Sequence, residues 1–366
     1  MGLFDDDKSA ARTPVALITG FLGSGKTTLL NRVLRDPRMA RSLVLVNEFG
    51  EVGLDHMFVE SVDGEMVLLQ SGCVCCTIKG DLERTLRDIA ARRQRGAMPP
   101  FDRVLVETTG LADPAPILAL MLNNPMTAHD YRLDAVVTTV DAVHGAAQLD
   151  EHPEAVKQAA VADRLLLTKS DIADPAGRTG LDARLTALNP GARRHEVRGG
   201  DIDPALLFDA GPFDPEGKTD RVRDWIAAES HDHGHGHGHG HDHGDHGDHT
   251  HAGHDHGPAV DRSRHDSRIG SFCLTWREPL DWDVFNPWMM AVRRSWADRL
   301  LRVKGVLDVA GEDRPLVVHG VHDVFHPPTL LARWPDGDRR SRLVFITRDL
   351  AQADVEASWK AMAGAP

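Results

Sequence analysis

The sequence predicts an α/β protein in which a mostly parallel sheet is covered by helices, followed by a smaller α+β domain. Three observations carry this. Short apolar runs of buried-strand type recur through roughly the first 228 residues, with helical segments between them. A histidine- and glycine-rich stretch then interrupts the chain. Composition changes across it, since six of the seven tryptophans follow residue 270 and the first 224 residues contain none. At 366 residues the chain is also long for a single hydrophobic core.

The expected strands of the first domain are Val15 to Thr19, Ser42 to Val46, Val67 to Leu69, Arg103 to Val106, Ala135 to Val140 and Arg164 to Leu167. Their unbroken apolar character suits strands covered on both faces. Between the third and fourth, residues 80–93 place Leu82, Leu86 and Ile89 on one helical face, with Asp81 near the helix start. The stretch from His231 to His256 has no apolar anchor, so it reads as a flexible linker. After it, 271–276 reads as a strand and 286–300 as a helix with Pro287 in its first turn. Strands near 301–309, 315–322 and 343–347 and a helix from about Ala351 complete the chain. The expected divisions are 12–228, a linker at 229–267, and 268–362.

Apolar residues make up 41% and charged residues 27%, the balance of a globular protein. The net charge of -13 argues against a general binder of nucleic-acid backbone. No apolar run is long enough to span a membrane, and the acidic start MGLFDDD does not resemble a signal peptide. Three of the four cysteines fall at 73, 75 and 76, which suits reduced metal ligands better than a disulfide framework. A cytoplasmic location is the expectation.

Residues 20–27, GFLGSGKT, satisfy G-x-x-x-x-G-K-[ST] between a strand and a helix. In such a loop Gly20, Gly23, Ser24 and Gly25 let backbone N–H groups surround phosphates, with Thr28 following on the helix. Lys26 neutralises the β- and γ-phosphates, and the Thr27 hydroxyl suits Mg2+. This makes the first domain a P-loop NTPase fold. The next element is Glu107-Thr-Thr-Gly110 after a strand: the acid suits the water shell of Mg2+ and the glycine backbone could meet a γ-phosphate. In Thr168-Lys169-Ser170-Asp171 a carboxylate can accept from both guanine edge donors, which favours GTP over ATP and makes the fold a G domain. A solvent-facing turn opening a helix is the bland alternative for those four residues.

Cys73, Cys75 and Cys76 offer three soft ligands suited to Zn2+ or Cu+, with a fourth from Glu48, a histidine, water or a partner. Buried structural cysteines or a redox pair are the alternatives. A second kind of site is the run His231, His233, His235, His237, His239, His241, His243, His246, His249, His251, His254 and His256. Imidazoles on a mobile backbone would collect Zn2+, Ni2+ or Co2+ with little selectivity; a merely hydrophilic linker is the alternative. His319, His322 and His326 read as one or two satisfied surface or core histidines rather than one metal site, because His319 and His322 do not share a strand face. Trp282, Trp288 and Trp296 read as packing or a partner surface.

Together these motifs resemble the CobW-like family of P-loop GTPases, which act as metal chaperones and metallocentre insertases. The resemblance runs through GFLGSGKTTLL at 20–30, VNEFGEVGLD at 46–55, GCVCCTI at 72–78, ETTGLADP at 107–114 and Lys169-x-Asp171. It implies catalytic roles for Lys26, Thr27 and Glu107, a second nucleotide motif at Glu107 and Gly110, and an internal metal motif at the three cysteines. Glu48 would link metal to nucleotide. Thr168 departs from the family pattern, where Asn is usual, so one support of the base pocket is altered while the discriminating acid, Asp171, remains, a variation read as tolerated. The second domain is expected to cap or regulate the first and to meet the metal recipient. The leading expectation is a GTP-hydrolysing chaperone that binds Zn2+ at the cysteines and delivers it to an apo-metalloprotein client. Cobalt or nickel insertion into a cobalamin-related or nitrile-hydratase-like client is an alternative, as is a non-enzymatic metal store or sensor. An oligomer is left open.

Overall fold

The first seven strands form one parallel sheet, whose inner strands are the unbroken apolar runs. In this computed structural model residues 11–46, 66–68, 77–208, 269–322, 324–335 and 337–364 are described. The expectations placed on Glu48, on Cys73, Cys75 and Cys76, and on the histidines from 231 to 256 lie outside the described residues. Strands β1 (Thr13–Gly20), β2 (Ser42–Val46), β3 (Met66–Leu68), β4 (Arg103–Glu107), β5 (Tyr131–Asp141), β6 (Arg164–Thr168) and β7 (Arg193–Val197) lie in the order β3-β2-β4-β1-β5-β6-β7. Each neighbouring pair is parallel. β7 was not expected: Arg-Arg-His-Glu-Val buries only Val197, which an edge strand allows.

Helices α1 (Lys26–Val33), α2 (Thr77–Gln94), α3 (Ala115–Asn123), α4 (Pro125–Asp130), α5 (Gly145–Glu151), α6 (Pro153–Ala160) and α7 (Pro175–Leu188) accompany this sheet. Successive residues of β1 serve opposite faces. Val15 and Leu17 pack with Leu82, Leu86 and Ile89 of α2 and Ile117 and Met121 of α3, while Ala16 and Ile18 pack with Leu29, Leu30 and Val33 of α1. The expected face of α2 is therefore the buried one. Its start is not as expected: the helix opens at Thr77, so Asp81 stands in its second turn. Gly80 does not stop it, because one glycine costs a helix only about 1 kcal/mol.

The second domain is an antiparallel sheet with two helices. Its elements are β8 (Ile269–Trp276), α8 (Trp282–Ser295), β9 (Leu300–Leu307), β10 (Leu316–Val321), β11 (Val324–Phe325), β12 (Thr329–Leu330), β13 (Ser341–Arg348) and α9 (Gln352–Ala363). The strand order is β11-β10-β9-β13-β8, with β12 beside β10. The helix expected over 286–300 runs instead from Trp282 to Ser295. Asp281 caps it by accepting from the Asp283 N–H at 2.9 Å, so Pro287 lies inside the helix rather than in its first turn. The other end stops before Leu300, which already belongs to β9. Trp288 is buried and donates from Nε1 to Ser358 Oγ at 2.9 Å, and Trp282 and Trp296 pack at the edge of the same core, so these tryptophans are packing residues.

Each sheet has its own core, yet the two share an interface. Leu301 and Ile346 join Ala159, Leu165 and Leu185, and Val321 joins the cluster of Leu118 and Met121. At this interface Asp163 follows α6 and is nearly fully buried. It accepts from Val136 N–H at 2.9 Å, from Lys304 at 3.0 Å and from Arg302, which also donates to Val161 O. Burial would push the Asp163 carboxyl up, but the Arg302 guanidinium, the Lys304 ammonium and the Val136 N–H outweigh it and hold it at about 2. Among the described residues no helix is long and apolar enough to cross a membrane.

A carboxyl held below its ordinary value stabilises the fold only while ionised. The Asp163 contribution is complete above 3.8 and is lost as the pH falls through about 2. Asp163→Ala leaves a buried guanidinium without its counter-charge and should cost about 3–5 kcal/mol in urea unfolding at neutral pH. The acid-induced decline of the wild type between those pH values should be flatter in this variant. Equal stability of the two proteins would remove the pair from the folding energetics.

Candidate functional site

The turn between β1 and α1 is held from three sides. Gly20 has φ 143, and a Cβ there would lie 2.3 Å from Thr139 Oγ1 on β5, so the close approach of the two strands demands glycine. Ser24 Oγ lies 2.6 Å from the same hydroxyl. Lys26, which opens α1, is buried and donates from Nζ to Gly20 O at 2.8 Å and Phe21 O at 3.1 Å. Gly23 and Gly25 lie within the turn, and Thr28 is exposed on the first turn of α1.

Glu107 ends β4 directly opposite Ile18 of β1. That register brings it within reach of α1: Thr27 Oγ1 donates to Glu107 Oε1 at 3.0 Å across 80 residues of chain. Gly110 follows in close contact with the turn. A Cβ on it would stand 2.7 Å from Leu22 N and 2.8 Å from Leu22 Cα, so the backbone after β4 rests on the backbone of the β1–α1 turn.

Thr168 ends β6, and its hydroxyl lies 2.7 Å from Ser24 O and 3.2 Å from Val140 O. The threonine that stands in place of the family's usual Asn thus ties the loop after β6 to the β1–α1 turn. Lys169 adopts φ 56 and donates to Asp141 Oδ2 at 2.7 Å. Asp141, at the end of β5, is buried and accepts from the Val143 and His144 N–H groups. Burial would raise its carboxyl, but Lys169 and those N–H groups hold it below the ordinary value. Asp171 is exposed on the turn that follows.

Of the expected residues, the β1–α1 turn with Lys26 and Thr27, Glu107, Gly110 and Thr168 are in contact at the carboxyl ends of β1, β4 and β6, the usual ligand edge of an open α/β sheet, while Thr28, Lys169 and Asp171 lie on the elements that follow. The arrangement offers N–H groups from the turn, the Lys26 charge, and a hard oxygen pair in Thr27 and Glu107. Sequence reasoning missed Thr139 and Asp141. Asp141 had a signal, an acid closing an apolar strand as Glu107 does; Thr139 had none.

His319 and His326 stack at 4.5 Å with an interplanar angle of 10°, both buried. Burial, above all, pulls His319 well below its ordinary value and His326 to about 3, so both rings are neutral. His322 stands in the β10–β11 turn. Among the described residues no three His, Cys, Asp or Glu side chains are grouped to hold a metal.

Gly110→Ala would drive a methyl group into the Leu22 backbone. Overpacking of that kind costs about 1–3 kcal/mol and displaces the backbone that carries Lys26 and Thr27, so GTP turnover should fall about tenfold or more. Wild-type phosphate release by the variant would contradict a part for the Gly110–Leu22 contact in the working of the site.

Two family descriptions match the chain: "CobW/HypB/UreG, nucleotide-binding domain" over residues 14–196, and "Cobalamin synthesis protein cobW C-terminal domain" over 269–363. The chain is similar to the zinc chaperone YjiA of Escherichia coli K12, 32% identical over 352 residues that span 94% of this chain and 97% of the relative. Zinc-regulated GTPase metalloprotein activator 1 of Schizosaccharomyces pombe is 34% identical over 208 residues, 55% of this chain and 49% of the relative. Among solved structures, the crystal structure of Zn(II)-bound YjiA GTPase from E. coli aligns over 96% of this chain and 99% of its own, with a TM-score of 0.68 and 28% identity. The first match falls on the parallel sheet that carries the β1–α1 turn, and the second on the antiparallel sheet. The chain belongs to the CobW/HypB/UreG family and carries its nucleotide-binding domain together with a CobW C-terminal domain.

Proposed function

We propose that this GTPase binds Zn2+ through Cys73, Cys75 and Cys76 and, on hydrolysing GTP, delivers it to an apo-metalloprotein client. One observation carries the reading. Val46 of β2 is in register with both Leu68 of β3 and Glu107 of β4, so the chain leaves β3 on the nucleotide edge a few residues before Cys73. Strand spacing puts that exit roughly 10 Å from β4. A loop starting there is close enough to feel a change at Glu107 and Gly110. Relatives named as zinc chaperones and zinc-regulated GTPases support zinc as the cargo.

In this reading Lys26 turns from the Gly20 and Phe21 carbonyls to the β- and γ-phosphates, whose charge it offsets. The Thr27 and Glu107 oxygens are of the hard kind that suits Mg2+, which when bound neutralises phosphate charge. Gly110 N–H meets the γ-phosphate, and Asp171 reads guanine beside Lys169, with Thr168 bracing that loop. Loss of the γ-phosphate releases Gly110, and the change reaches the thiols through β4, β2 and β3. Glu48, just beyond Val46, would be the link and a further ligand. The histidines from His231 to His256 would gather metal for the cysteines, and thiolate ligands fit the reducing cytoplasm.

Coupling requires different zinc affinities in the two nucleotide states. Zinc titrations against a competing chelator, with GDP or a non-hydrolysable GTP analogue, should differ about tenfold, equivalent to about 1.4 kcal/mol. The difference should vanish when Cys73, Cys75 and Cys76 are changed to Ser. Equal affinities, or a difference that survives the three substitutions, would overturn the reading.

A further inference from the structure

Gln158 is fully buried on α6, and its Nε2 lies 3.2 Å from Gly110 O and 2.9 Å from Ala112 O. Both donors of the amide therefore go to the backbone that follows Glu107, and two carbonyl partners fix which end of the amide is nitrogen. Its Oε1 is buried with no hydrogen-bond partner among the described residues. An apolar side chain of the same size would avoid that cost, so packing alone does not account for an amide here. One residue earlier, Lys157 Nζ holds Asp113 Oδ2 at 2.6 Å. Adjacent residues of one helix thus grip both ends of the Gly110–Asp113 segment.

The helix itself is fixed. Thr138 Oγ1 donates to Gln158 O at 2.8 Å, and Arg302 donates to Val161 O. The Asn189 side-chain amide lies 2.9–3.0 Å from the carbonyls of Ala159, Ala160 and Ala162. The carbonyls a helix end leaves without partners are here held by β5, by the end of α7 and by the antiparallel sheet. A donor mounted on so constrained a helix sets the position of what it binds, rather than following it.

We infer that Gln158 is a positioning residue for GTP hydrolysis: its amide, with Lys157 beside it, presets the Gly110–Asp113 backbone for the γ-phosphate. The inference rests on the proposed meeting of Gly110 with that phosphate. GDP has no γ-phosphate, so its binding gains nothing from the preset segment. The residue's signature is therefore a loss confined to the triphosphate state.

The test compares the full-length wild type, Gln158→Met and Lys157→Met in Mg2+, measuring phosphate release and the affinities for GDP and a non-hydrolysable GTP analogue. Gln158→Met keeps the volume and removes both donors. Its kcat and its preference for the analogue over GDP should each fall about tenfold or more, with GDP affinity unchanged. Lys157→Met, which changes a partly exposed side chain and keeps the core, should show a smaller loss of the same kind. Unchanged kcat and preference in a folded Gln158→Met protein would overturn the inference, as would equal losses of GDP and analogue. If Gln158→Met does not fold, an unchanged preference in Lys157→Met overturns it. Absence of turnover in the wild type would instead overturn the GTPase reading, and the ratio of analogue to GDP affinity would still decide for or against Gln158.

Discussion

The nucleotide edge depends on the parallel register of β1 with β4, in which Ile18 lies opposite Glu107. Because the strands run the same way, every connection to a following helix leaves from one edge of the sheet, and residues far apart in sequence meet there. That register sets Thr27 against Glu107, and the backbone that continues from β4 rests on Leu22. The neighbours on the other side add to the same turn: β5 brings Thr139 to Gly20 and Ser24, and β6 brings Thr168 to the Ser24 carbonyl. Four strands thus fix one loop. The backbone of a loop fixed in this way needs little reorganisation to receive phosphate, a condition for efficient electrostatic catalysis, and the proposed change falls on the Lys26 side chain.

The antiparallel domain packs against this arrangement at α3, α6 and α7, and the buried charges of that interface lie at the end of α6. Asp163 just beyond that helix holds Arg302 and Lys304, while Gln158 and Lys157 within it hold the segment after Gly110. A buried ion pair contributes little net stability over an apolar replacement, but it specifies one orientation, because either charge alone would be costly. The stacked, neutral His319 and His326 lie near the same positive groups without adding to their charge. Among the contacts that orient the second domain are those at the end of α6, the helix whose Gln158 and Lys157 hold the segment from Gly110 to Asp113.

Much of this was legible in the sequence, for reasons visible in particular residues. Strands covered on both faces are written as unbroken apolar runs, and β1, β2, β4 and β6 were found on that basis. The β1–α1 turn carries a local motif dense enough to be read alone, and Glu107 gained meaning from it. β7 was hidden because an edge strand of Arg193, Arg194, His195 and Glu196 needs no apolar pattern. The bounds of α8 differ from the expected ones because Asp281 is the residue that caps it, while Pro287, which in sequence reads as a start signal, is carried inside the helix. Thr139 acts on the Ser24 hydroxyl and Gln158 on backbone carbonyls that only the fold brings near, so no local pattern marks them. The departure at Thr168 looked like a weakness, and only its distance to Ser24 O shows a hydroxyl serving as a brace.

A single-turnover experiment decides whether GTP hydrolysis and zinc release are one coupled event. Zinc-loaded protein with bound GTP would be mixed with Mg2+ and a zinc-selective fluorescent chelator, and phosphate and zinc followed together in stopped flow. Coupling requires that zinc appear with the rate constant of phosphate release, and that it stay bound when a non-hydrolysable analogue replaces GTP. Zinc release at the same rate with the analogue as with GTP would contradict the proposed delivery mechanism.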